Sequence, residues 1–584
     1  MRDRLRQALA LGAAAGALEF FVRTEGRLGF SFFEQATWLT LAVICGIAVT
    51  LPAALVARAL KPLPHVGERP LGFTLGAVVG LHAALFYRFE LVLNESLRSP
   101  QVWGGMLALG FAGLLVGLGA DRLLRKIERY LVVIAVMGGL FGLFRGIPPQ
   151  GRSTEGMNVL LVTWDTTRPD RLGPYGGPAS TPALDRLAAQ GIVFDQAVAD
   201  APLTELSHLS ILTGQHTYEH GVVSNATPLG QRPELIGHAL QEAGFVTGAV
   251  VSGFPLHAKW GWDQAFDVYD DDFSRLPGLH RLSLVVALDQ VLLPGNTLRE
   301  RPGVYAERRA LQFLRRHQDG RFFLWLHLFD PHGPYEMLPL DQAPTDGPAL
   351  DLPAYWPPPH RAITSEAWLT QAYDAELSEA DRITGALLDE LEELGIAEET
   401  VVVMTADHGE SLTEHDYLFD HGDHLYDPSL RVPLIWSIPG YAPDRVPCQV
   451  SNASIATTLR SLFDLPGGDP SHLARLSGAE PCLDEPVVSS TVGARFVEQP
   501  PVDWSYRLPH EKFIQHGDPQ VEDELYDLVQ DPGETRSLED DDARLRATQN
   551  LEALMGGEDI VDQIQAPEFD ESSMEALRAL GYVE

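Results

Sequence analysis

A chain of 584 residues exceeds what one hydrophobic core usually supports, so at least two structural units are expected. The formal charge of −37 is unevenly spread: residues 1–150 hold 15 Lys and Arg against 9 Asp and Glu, the remainder 28 against 71. So acidic a main part excludes nucleic acid as a partner, because phosphate contacts need basic grooves, and acidic solvation accounts for most of the excess.

Residues 1–150 carry apolar stretches at about 7–22, 36–58, 71–94, 102–120 and 130–147. Most are near the ~20 residues that a helix needs to cross a bilayer, so the pattern predicts about five transmembrane helices. Four is the other reading. The first stretch is short, Ala-rich and interrupted by Glu19, and a charge at mid-membrane costs roughly 3 kcal/mol. Arg2, Arg4, Arg6, Arg58, Lys61, Arg69, Arg122, Arg125, Lys126 and Arg129 fall on one side, against Arg23, Arg27, Arg98, Arg145 and Arg152 on the other. Basic loops stay cytoplasmic. The N-terminus is therefore expected inside, and everything after about residue 150 outside the cytoplasm. Recurring apolar segments disfavour a cleaved signal peptide. The expected location is the cytoplasmic (inner) membrane, multi-pass, with the lipid bilayer as partner.

Residues 158–170, NVLLVTWDTTRPD, hold an apolar run, Val159 to Val162, that ends near Asp165. Further along, HRLSLVVALDQVLLP at 280–294 suits a core helix or one lying against the bilayer. The Pro-rich stretch from Pro334 to Pro359 suits a loop over a sheet edge. Within 374–394, Ile383, Leu387, Leu391 and Leu394 share one helical face. Residues 401–410, VVVMTADHGE, form a second β-branched run that stops at Asp407 and His408. Open α/β sheets place chemistry beyond the carboxyl ends of such strands, so the two junctions are expected to meet around one divalent cation. A mixed oxygen and nitrogen set suits Zn²⁺ or Mn²⁺ better than Ca²⁺, whose sites are nearly all oxygen. Cys45 lies in a membrane stretch; Cys448 and Cys482 form a disulfide or remain two thiols.

From about Met157 to the C-terminus the chain resembles the sulfatase family of the alkaline phosphatase superfamily. The matching segments, in order, are NVLLVTWDTTRPDRLGPYG, TPALDRLAAQGIVFDQAVADAPLTELSHLSILTG, EHGV, FFLWLHLFDPHGPY, TADHGESLTEHDYLFDHGDHLYDPSLRVPL, ELYDLVQDPGETRSL and ALRALGYVE. The resemblance implies an α/β fold, a mainly parallel sheet between helices. The expected division is 1–150 membrane domain, 151–480 catalytic domain and 481–584 C-terminal subdomain completing the fold.

In that family the nucleophile opens a C/S-x-P-x-R motif and is oxidised to formylglycine. Here the position falls on Thr204, which cannot yield the aldehyde, with Leu206 and His208 in place of the Pro and Arg. Ser252 and Phe254 likewise stand where the family's sulfate-clamping Lys and His would be, and Thr166 replaces a second aspartate. A threonine nucleophile behind about five membrane helices resembles instead the phosphoethanolamine transferases and lipoteichoic acid synthases. The resemblance implies Asp165, Asp407, His408 and Thr204 as metal ligands, with Thr204 as nucleophile. It makes His332 a substrate-binding histidine and leaving-group acid, and His421 or His424 the second basic residue, His421 being favoured. His208 would touch a nonbridging oxygen. Glu410, His415 and His220 would orient ligands or strands, and Asp330 and Tyr335 read equally well as turn structure. The expected enzyme cleaves or transfers a phosphate-type ester on a lipid or envelope glycan. The alternatives are a sulfuric ester hydrolase without formylglycine and a catalytically inert membrane scaffold.

Overall fold

The computed structural model describes residues 156–222, 224, 225, 227, 229, 234–273, 300–476, 485–492 and 502–556. The five apolar stretches of residues 1–150, the stretch 280–294 and the ALRALGYVE segment lie outside them; among the described residues no helix is long and apolar enough to cross a membrane. Cys448 is disulfide-bonded, its partner also outside the described residues.

Eight strands form the main sheet: β1 Asn158–Trp164, β2 Ile192–Val198, β3 Val246–Val250, β4 Val268–Asp270, β5 Phe322–Leu328, β6 Thr400–Ala406, β7 Arg431–Ser437 and β8 Asp444–Ser451. Their order is β4-β3-β5-β1-β6-β7-β2-β8. Every neighbouring pair is parallel except those of β7 with β6 and β2, which gives the mainly parallel sheet expected. The three adjacent strands β5, β1 and β6 are buried along their whole length. Their runs FFLWLHL, NVLLVTW and TVVVMTA are rich in the β-branched and aromatic side chains that a sheet covered on both faces requires.

The helices that matter for the site are α1 Pro182–Gln190, α2 Thr204–Thr213, α3 Gly303–His317 and α4 Glu366–Glu393. The last starts eight residues before the predicted span, with Ser365 accepting the Trp368 amide as its cap. It packs Leu369, Leu377, Ile383, Leu387 and Leu391 into one core with Leu160, Val162, Leu324 and Leu326 of the sheet. Burial of each such leucine or isoleucine contributes about 2 kcal/mol. The Pro-rich stretch runs without long regular elements and puts Trp356 into the same core.

A second sheet, β9 Val487–Thr491, β10 Asp503–Arg507, β11 Glu511–Gln515 and β12 Glu524–Asp527, is antiparallel throughout and carries α5 Asp541–Leu554. Trp504, Phe513 and Leu525 meet Ala543, Ala547 and Leu551 in its core. It is tied to the main sheet through Asp427, which takes Arg507 Nη2 at 2.8 Å and Lys512 Nζ at 3.0 Å. Lys512 Nζ also lies 2.7 Å from Glu534, whose other oxygen accepts the Asp427 amide at 2.6 Å.

Candidate active site

Strand register builds the centre. Trp164 of β1 pairs with Ala406 of β6, so the next residues, Asp165 and Asp407, leave the sheet side by side, and His408 comes directly after. On the other flank Thr163 pairs with His327 of β5. One ligand atom each from Asp165, Asp407 and His408 lies within 4.8 Å of the other two, and all three residues are fully buried.

Three atoms in this cluster, Asp165 Oδ1, Asp407 Oδ2 and His408 Nε2, have no hydrogen-bond partner. The remaining polar atoms are used to aim them. Asp407 Oδ1 accepts the amides of His408 at 2.8 Å and Thr166 at 3.3 Å, and His408 Nδ1 bonds Gly409 O at 2.9 Å. Burial and then the neighbouring charge of Asp165 push Asp407 well above the usual carboxylate range. Burial, with the charge of His421, holds the His408 imidazole well below its ordinary value, which keeps it neutral, the form that can bind a metal. Two buried carboxylates so close do not both ionise without a cation between them. The donor set therefore fits a divalent metal ion.

Thr204 opens α2, following Leu203 in extended backbone. Its hydroxyl donates to Asp165 Oδ2 at 3.5 Å, and the residue is fully buried. It is the first helical residue, not a cap, and it stands at the end where the helix dipole favours negative charge. Ser207, one turn on, donates to Asp407 O at 2.5 Å, and Asn452 donates to both at 2.7 and 3.3 Å, which pins α2 to the end of β6. Thr166 adopts a left-handed conformation, φ +48°, that a β-branched residue disfavours. Tyr373 holds it there by donating to Thr166 O at 2.7 Å.

His332 and His421 meet edge to face, ring centres 4.9 Å apart, and His421 lies 4.5 Å from the His408 ring. His421 Nδ1 is 3.4 Å from Glu410. Burial opposes its charge, but the Glu410 carboxylate, with Asp420 and Asp165 behind it, holds it up at about 9. His332 stacks on Phe329 at 4.2 Å, and burial together with the charge of His421 lowers it to about 4. His424 is placed elsewhere, against Tyr417 and Tyr426.

His208 corrects an expectation. It sits one turn below Thr204 with Nδ1 bonded to Thr204 O at 2.7 Å and Nε2 to Thr163 Oγ1 at 3.0 Å. Burial lowers it to about 3, and with both ring nitrogens bonded inside the protein it is a neutral brace beneath Thr204, not a group turned to a substrate oxygen. His415 stacks on Tyr426 at 3.6 Å, His220 bonds Ser210 at 3.2 Å, and Asp330 accepts the Gly303 amide at the start of α3 at 2.9 Å. Tyr335 is fully buried beside Trp356.

His327 escapes sequence reasoning. Its Nε2 lies 3.4 Å from Asp165 Oδ2, and its Nδ1 is 3.3 Å from Thr163 Oγ1. The one signal for it is a lone imidazole inside FFLWLHL, where an apolar residue would otherwise stand. Glu410, expected only as an orienting group, contacts His421 and is 1% exposed. Arg168 is spent on Asp170, Glu414 and the Glu410 carbonyl.

Known proteins share this fold. The chain is 25% identical over 342 residues to human (Homo sapiens) iduronate 2-sulfatase, a match covering 49% of this chain and 60% of that one. It is 26% identical over 362 residues to the multifunctional alkaline phosphatase superfamily protein PehA of Trinickia caryophylli, covering 48% and 67%. The chain thus spans less than two thirds of the first of these relatives. Among solved structures, the phosphonate monoester hydrolase of Agrobacterium radiobacter shares the fold, with a TM-score of 0.53 at 19% identity over 68% of this chain and 95% of that one. The sulfatase family profile matches residues 157–465, from the start of β1 past β8, and with more than half of its length so matched the chain belongs to the sulfatase family.

Proposed function

We propose that this protein is a metal-dependent hydrolase of the sulfatase family that cleaves a phosphate-type ester through a covalent ester on Thr204. The observation that carries the reading is the Thr204 hydroxyl 3.5 Å from Asp165 Oδ2, beside three buried, unpartnered ligand atoms. Asp165, Asp407 and His408 would hold the metal, with Thr204 Oγ1 a further ligand when ionised. When bound, a divalent cation lowers the pKa of an adjacent alcohol and offsets charge on the attacked group. One imidazole and the replacement of a second aspartate by Thr166 favour Zn²⁺ or Mn²⁺ over Ca²⁺.

The Thr204 hydroxyl loses its proton to solvent, and the bond from Oγ1 to phosphorus forms as the bond to the leaving oxygen breaks. His421, cationic beside Glu410, gives its proton to that oxygen, and neutral His332 orients the group. Water, or an acceptor alcohol if the reaction is a transfer, then attacks phosphorus and gives its proton to the now neutral His421, and the bond to Thr204 Oγ1 breaks as that oxygen is reprotonated from solvent. Residues 1–150 would anchor this machinery in the cytoplasmic membrane with the catalytic part outside, acting on a lipid-linked or envelope glycan substrate. The basic-residue distribution supports that orientation, and the bonded state of Cys448 suits an oxidising compartment.

Sulfuric ester hydrolysis by the same threonine is the second reading, favoured by relatives such as iduronate 2-sulfatase. Matched aryl phosphate, aryl phosphodiester and aryl sulfate substrates separate the two. Turnover of a phosphorus ester above the sulfate is expected, and sulfate preferred over both reverses the ranking.

A further inference from the structure

The loop that carries His332 is held from beneath by a carboxyl group on a distant helix. Glu376, on the long α4, is 4% exposed. Its Oε1 accepts the backbone amides of both Glu336, at 2.5 Å, and Met337, at 2.7 Å. These are the fourth and fifth residues after His332. The other end of the loop is fixed by Asp330, which accepts the Gly303 amide at 2.9 Å. Between them Gly333 lies against Trp356, so close that a Cβ there would fall 2.3 Å from the indole.

We propose that Glu376 is a positioning residue for His332, one of its carboxyl oxygens taking both amides and so fixing the segment that follows the imidazole. This rests on the role proposed for His332 in orienting the substrate. Burial pushes the Glu376 carboxyl up to about 8, with the nearby charge of Asp330 adding to it and the two amides pulling the other way, which agrees with a neutral acid near pH 7. A carboxamide presents the same oxygen without charge, so glutamine replaces the group in shape and in acceptor. Alanine removes the acceptor shared by the Glu336 and Met337 amides and frees the segment that sets the imidazole.

The test uses the full-length chain and four variants, Glu376→Gln, Glu376→Ala, His332→Ala and the double His332→Ala/Glu376→Ala. Glu376→Leu, which keeps the volume, replaces the alanine change if that variant fails to fold. Two readouts are taken: kcat and KM on an aryl phosphodiester, and the imidazole NMR signal of His332, assigned by its loss in His332→Ala. Expected are an unchanged His332 signal and kcat within about two-fold for Glu376→Gln, but a displaced signal and a kcat lower by about 10- to 100-fold for Glu376→Ala. The double variant should be no slower than His332→Ala, because the two changes remove one function. An unmoved His332 signal in Glu376→Ala, or multiplying losses in the double variant, overturns the proposal. If His332→Ala alone leaves turnover intact, the role of His332 falls, and the NMR signal still decides whether Glu376 sets its position.

Discussion

Asp165 and Asp407, far apart in the chain, emerge side by side because Trp164 and Ala406 are register partners on adjacent parallel strands. One oxygen of each, without a hydrogen-bond partner, shares a fully buried space with His408 Nε2. That arrangement is unfavourable for the protein alone and favourable with a cation.

Metal removal should therefore destabilise the chain. A chelator is expected to lower Tm, and Zn²⁺ or Mn²⁺ to restore it in a concentration-dependent way, with a gain of about 2.7 kcal/mol at roughly a hundred times Kd. Asp407→Asn relieves the repulsion that raises the Asp407 carboxyl, so it should raise Tm in chelator while abolishing the metal response. Differential scanning calorimetry with and without metal checks both signs. A chelator-treated protein that melts unchanged speaks against a resident ion.

Thr204→Ala should lower kcat on the order of 10³-fold or more, whereas Thr204→Ser keeps the hydroxyl and retains measurable turnover. Both should bind metal through Asp165, Asp407 and His408. Elemental analysis beside the kinetics separates loss of the nucleophile from loss of the ion.

Lys512 is fully buried between Asp427 and Glu534, at 3.0 and 2.7 Å. Replacing it by Met leaves two carboxylates without their shared cation, and the loss of stability expected is about 3–5 kcal/mol. Denaturant unfolding measures it.

His516 bridges Asp503 at 2.9 Å and Glu524 at 3.1 Å. Bonds to those two carboxylates, in that order, raise it from 6.5 to about 10. A histidine whose folded value is the higher one stabilises fully below its unfolded value and loses that contribution as pH rises to the folded value. Stability should therefore fall between pH 6.5 and about 10. His516→Gln should flatten that fall, which a Tm series against pH will show.

Much of the centre is legible in the sequence because strands carry their own signal. The runs before Asp165 and Asp407 are apolar and β-branched, and a parallel sheet delivers the residues just beyond them to one edge. His327 is hidden for the same reason, since a single imidazole does not interrupt the reading of FFLWLHL as a buried strand. At His208 the replacement of a motif arginine points to a substrate contact, but both ring nitrogens are taken by Thr204 O and Thr163 Oγ1. The helical offset of four residues, which returns its ring to the Thr204 carbonyl, is the better guide. Glu376 gives no local signal, because its partners Glu336 and Met337 are backbone amides 40 and 39 positions away.

The most direct measurement is mass spectrometry of the peptide containing Thr204 after rapid quenching during turnover of an activated aryl ester. A phosphoryl mass on Thr204, absent from Thr204→Ala and sulfuryl only if the sulfate is the preferred substrate, is the predicted result. A covalent adduct on another residue, or burst turnover with Thr204 unmodified, would contradict the threonine mechanism.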